Sequence, residues 1–73
     1  MSVDKQDNFR RLAESRTNKI ISSIISLGNL SNTSYYEYTP EQVEAVFSAI
    51  ENEIKTQKER FAAKATRVKK FRL

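Results

Sequence analysis

Histidine, cysteine and tryptophan are absent, and glycine and proline occur once each in 73 residues. Without cysteine there is no disulfide to staple a small fold, no thiol nucleophile and, with histidine also missing, no zinc site of the usual donors. Without histidine there is no imidazole base and no serine–histidine pair. A single glycine cannot build a phosphate-cradling loop. The carboxylates at Glu51 and Glu53 fall on different faces of a helix and read as a solvated surface. These gaps point to a non-enzymatic protein that needs no metal or cofactor.

Long apolar runs are missing too. The best candidate, residues 19–30, is broken by Ser22, Ser23, Ser26 and Asn29, far short of the roughly 18 apolar residues of a membrane span. The opening residues MSVDKQDNFRRL carry no apolar core of a secretory signal. The expectation is a cytoplasmic protein with no membrane partner. At 38% hydrophobic and 30% charged residues the chain is one small, core-poor domain, of a size whose core rarely supplies more than about 3–5 kcal/mol.

What the chain does have is charge sorted by region. Net charge is +4 overall. Residues 1–28 carry net +2. Residues 29–54 hold no basic side chain and five acidic ones, Glu37, Glu41, Glu44, Glu51 and Glu53. Residues 55–73 carry eight basic side chains against Glu59 alone. Basic residues at a helix end complement its dipole, but eight exceed that need and suggest a polyanionic partner.

Hydrophobic spacing predicts two helices. Ala13, Thr17, Ile20, Ile24 and Leu27 step by four and three, the seam of a helix that packs on another. Ile21 and Ile25 widen it. Asp7 or Asn8 is the expected cap, and Gly28 the expected left-handed stop, giving a first helix over about 8–27. Asp7 is placed to pair with Arg11 one turn on. A connection over 28–39 comes next, with serines and asparagines and then Tyr35, Tyr36 and Tyr38. Thr39-Pro40-Glu41-Gln42 is a strong helix start: Thr39 as cap, proline at the first position, and Gln42 closing a capping box. From there Val43, Phe47, Ile50, Ile54, Gln57, Phe61, Ala65 and Val68 keep the seam in register, so the second helix runs from Pro40 to about Val68.

The expected fold is all-α: an antiparallel hairpin of residues 1–61 with a longer second helix, whose residues 62–73 form a basic extension. Ile21, Ile25, Val46 and Phe47 exceed what one hairpin can cover. They are the candidate interface of a homodimer, a four-helix bundle, or of a larger protein partner. The tyrosines either cover the end of that hairpin or offer a protein contact. Stacking on bases is disfavoured there by the neighbouring glutamates.

Known DNA-binding architectures fit poorly. Ribbon–helix–helix needs a strand before two helices, helix–turn–helix a short turn, and a basic zipper the reverse order of charge and seam.

Certain stretches resemble short, largely uncharacterised proteins encoded on plasmids and conjugative elements of Gram-positive bacteria. They are Phe9-Arg10-Arg11-Leu12-Ala13-Glu14, Arg16-Thr17-Asn18-Lys19-Ile20-Ile21, Leu27-Gly28-Asn29-Leu30-Ser31-Asn32, Tyr36-Glu37-Tyr38-Thr39 and Val46-Phe47-Ser48-Ala49-Ile50-Glu51. The resemblance runs from Asn8 to Phe61. It implies a mobile-element setting and assigns no activity; the basic tail lies outside it.

The residues expected to grip DNA phosphates are Lys64, Arg67, Lys69, Lys70 and Arg72, flanked by Arg60, Arg10 and Arg11. No set among them forms a base-reading pattern, so little sequence preference is expected. The competing expectation is an adaptor whose apolar stripe binds a replication or transfer component. A third, an interfacial C-terminal helix at a lipid surface, has little apolar area in Val68, Phe71 and Leu73.

Overall fold

A computed structural model describes the backbone of residues 2–70 and the side chains of residues 4–64. It is all-helical, with no strand among the described residues. Helix α1 spans Ser2–Gly28, a 3-10 turn spans Asn29–Ser31, and helix α2 spans Pro40–Lys70. At 1.5 Å per residue the helices are about 40 Å and about 46 Å long. The chain divides into two units, Met1–Glu37 and Tyr38–Leu73.

In the first unit the helix starts six residues earlier than Asp7 and Asn8 suggested. No glycine or proline precedes Gly28, so nothing there breaks the helix, and Asp4 in the first turn complements the dipole. Asn8 is therefore an interior residue rather than a cap. Its Oδ1 accepts a hydrogen bond from Arg11 Nη2 at 2.9 Å, one turn along. That bond uses one of the five donors of the guanidinium expected to pair with Asp7.

The end of α1 also differs from expectation. Gly28 is right-handed, with φ −62° and ψ −26°, and no described residue has positive φ. The helix tightens instead into the Asn29–Ser31 turn, where shorter-range bonds can take up the last carbonyls. Asn32 then turns extended at φ −70°, ψ 103°. Freedom of backbone at glycine is thus not used here.

Asn32 organises the connection between the helices. Its side-chain Oδ1 accepts the Ser34 N–H at 2.9 Å, the local bond that suits asparagine to turns. Its carbonyl accepts the N–H groups of Tyr35 and Tyr36 at 3.1 and 3.0 Å. Residues 36–39 then run without regular structure into α2.

In the second unit the helix start obeys the chemistry of its first four residues. The Gln42 N–H donates to Thr39 Oγ1 at 3.1 Å, and the Thr39 N–H donates back to Gln42 Oε1 at 2.9 Å. The Thr39 carbonyl accepts the Val43 N–H at 3.1 Å, the first main-chain bond of the helix. Pro40 costs nothing at this point because its missing N–H is not required. With no glycine or proline beyond it, α2 continues unbroken to Lys70, two residues past the expected Val68.

No side chain among the described residues is buried. Only Ala13, Leu27, Ser48 and Ile50 are partly shielded. The stripe residues Ile20, Ile21, Ile24 and Ile25 of α1, and Val43, Val46, Phe47 and Ile54 of α2, are all exposed. Long helices of good formers can persist alone, but only marginally. The apolar stripes are therefore the largest unspent source of stability in each unit.

Candidate nucleic-acid interface

Charge along α2 is divided at its middle. The charged side chains of residues 40–54 are all acidic, and residues 55–70 carry seven basic side chains against Glu59. Because the helix is continuous, its geometry fixes how these are arrayed. Arg60, Lys64 and Arg67 sit at i, i+4 and i+7, along one side of the rod. Lys55, Lys58 and Lys69 fall on the other side of the apolar seam, so cations flank it on both edges.

Arg60 and Lys64 are exposed, and with Gln57 and Phe61 they line a shallow surface depression. An aromatic ring between two cations is a suitable footing for a phosphate backbone with an occasional stacked base. Arg60 is held in place: its Nη1 donates to Gln57 Oε1 at 2.9 Å, and Gln57 Nε2 donates to Glu53 Oε2 at 2.6 Å. As a letter in the sequence, Gln57 is only a polar break in the seam. Its spacing of four from Glu53 and three to Arg60 is the signal for this bridge.

The remaining α2 cations are placed by the backbone alone. Lys69 and Lys70 close the helix and Arg67 lies one turn earlier; their side chains, and all of Arg72, lie outside the described residues. Arg10 and Arg11 belong to the first unit and are exposed. Arg10 lines a second shallow groove with Phe9, Ala13, Glu14, Thr17 and Asn18, while Arg11 is engaged by Asn8.

The other expected contacts are equally accessible. Ile21 and Ile25 on α1, and Val46 and Phe47 on α2, are exposed. Tyr35 is 80% exposed, the most of any large apolar or aromatic residue described, with Tyr36 and Tyr38 more shielded. The Tyr35 and Tyr36 rings lie 6.5 Å apart at 59°, a tilted pair of the favourable kind. Both tyrosine N–H groups donate to the Asn32 carbonyl in the turn just before.

No cluster of potential metal ligands occurs among the described residues. No described helix is long and apolar enough to cross a membrane. Compared with protein-family models, curated proteins and solved structures, the chain matches none.

Proposed function

We propose that this is a small non-enzymatic accessory protein of a mobile element, acting in the cytoplasm and binding DNA mainly through phosphates. The observation that carries the reading is the sorting of charge along one unbroken helix: acidic through residue 54, strongly basic beyond it. A backbone-binding protein needs cations at repeated spacing and no base-reading set, which is what α2 offers. The sequence resemblance over Asn8 to Phe61 supports the mobile-element setting.

In this reading the two helices fold into an antiparallel hairpin, and two hairpins pair as a four-helix bundle through Ile21, Ile25, Val46 and Phe47. The exposed stripes support it. Covering those four half-exposed side chains at about 1 kcal/mol each gives on the order of 8 kcal/mol for two chains, within the range of about 4–15 kcal/mol that association costs. In each chain the basic ends of the two helices would form a DNA-facing surface of their own, with Lys64, Arg67, Lys69, Lys70 and Arg72 at its centre and Arg60, Arg10 and Arg11 beside them.

The test is a DNA titration across salt concentrations. With about five phosphates neutralised, log K should fall against log salt with a slope near −4 to −5. A slope near zero removes the reading. The same exposed stripe favours a second one, an adaptor that covers its apolar face with a larger replication or transfer protein. Removing residues 62–73 separates the two. DNA affinity is lost under the first, whereas partner capture survives under the second.

A further inference from the structure

The flanks of the α2 seam carry more information than the seam. With Val43, Ile50 and Gln57 at one core position of a heptad and Phe47, Ile54 and Phe61 at the other, the bordering positions are fixed. Glu44, Glu51 and Lys58 line one border; Val46, Glu53 and Arg60 line the other. Both borders therefore change sign at the same level of the helix, between residue 53 and residue 58. All of these side chains are exposed.

From this we infer that α2 pairs with α2 of a second copy, antiparallel and centred between Lys55 and Thr56. In that register Ile54 lies level with Gln57 of the other copy and Ile50 with Phe61. Glu51 then faces Lys58 across one border and Glu53 faces Arg60 across the other. The two-fold axis repeats each pair. Whichever border meets the neighbour, an acid meets a base.

Other alignments lose this match. Sliding one heptad toward the N-terminus sets Glu51 on Glu51 and Glu53 on Glu53. Sliding one heptad the other way sets Lys58 on Lys58 and Arg60 on Arg60. A parallel pair keeps Glu53 against Lys58, but lays the two basic ends side by side. Like charges placed opposite one another disfavour all three. The inference rests on the homodimer part of the reading above and not on nucleic acid. Within a bundle of two hairpins it specifies the contact between the two longer helices.

The test uses the full chain. An Ala45→Cys variant supplies its only thiol, on the side of α2 away from the seam, for a nitroxide label. The labels are offset by about 32 Å along the axis, from 21 residues at 1.5 Å, and by about 20 Å across the pair, so dipolar spectroscopy should read about 37 Å. A parallel pair gives about 20 Å, and slipped registers, offset by about 21 or 42 Å along the axis, give about 29 or 47 Å through space; each of these results, or a monomer, overturns the inference. A companion pair of variants guards against a labelling artefact. Glu51→Lys with Glu53→Lys, and Lys58→Glu with Arg60→Glu, should each self-associate at least about tenfold more weakly than the wild type. Mixing the two should restore association as a heterodimer. Unchanged self-association of both, at unchanged helicity, overturns it as well. The salt slope of DNA binding, read on the Ala45→Cys chain whose charges are all intact, reports separately on the nucleic-acid reading.

Discussion

Thr39 and Gln42 satisfy one another across the first turn of α2: each donates its main-chain N–H to the other's side chain, at 2.9 and 3.1 Å. Pro40 has no N–H, so this helix start leaves three such groups without main-chain partners, and two of them are settled by this exchange. Thr39→Ala should cost about 1 kcal/mol of helix stability. Gln42→Ala should cost less, because only the Thr39 N–H is released and it stays in water. The double variant should cost less than the sum, since the bonds are coupled. Unfolding measured by circular dichroism reads all three.

The start of α2 is legible in the sequence because its signal is local and redundant: cap, proline, acid and glutamine all agree over four residues. The end of α1 is not. Gly28 and Asn29 fit a left-handed stop equally well as letters, but a 3-10 turn achieves the same exit with φ negative. The start of α1 is hidden for a related reason. Asp7 and Asn8 are good caps, yet a residue able to cap does so only when the chain before it is not helical. Charge sorting and the two seams need no coordinates. The Glu53–Gln57–Arg60 bridge emerges only once helical spacing is joined to side-chain geometry.

Gly28 supplies its own test. A Cβ added there meets no atom within 4 Å, and the backbone is already right-handed. Gly28→Ala should stabilise the chain by about 0.5–1 kcal/mol, by narrowing the unfolded ensemble and favouring helix. Loss of stability on thermal unfolding would instead indicate the left-handed conformation.

Asn32 holds its turn by two kinds of bond that a substitution separates. Asn32→Ala removes the side-chain acceptor of the Ser34 N–H and leaves the carbonyl that binds Tyr35 and Tyr36. Amide exchange at Ser34 should quicken by several-fold, consistent with a bond of about 0.5–1.5 kcal/mol. Exchange at Tyr35 and Tyr36 should change less. Equal acceleration at all three would mean that the side chain sets the whole turn.

Within the proposed DNA contact, Lys64→Ala should weaken binding to all sequences alike and reduce the salt slope by about 1. Glu44→Ala, on the acidic half of the same helix, should leave both unchanged or strengthen binding slightly. Filter binding at three salt concentrations suffices to compare them.

The central claim is that exposed seams draw two chains together while the cationic end of α2 stays available to a polyanion. Light scattering after size exclusion tests both halves at once, with the full chain alone and with a short DNA duplex. The account predicts twice the chain mass of 8.5 kDa for the protein alone. With duplex at low salt it predicts a larger complex that separates again at high salt. A monomer that passes the duplex without shifting its mass at any salt concentration contradicts it.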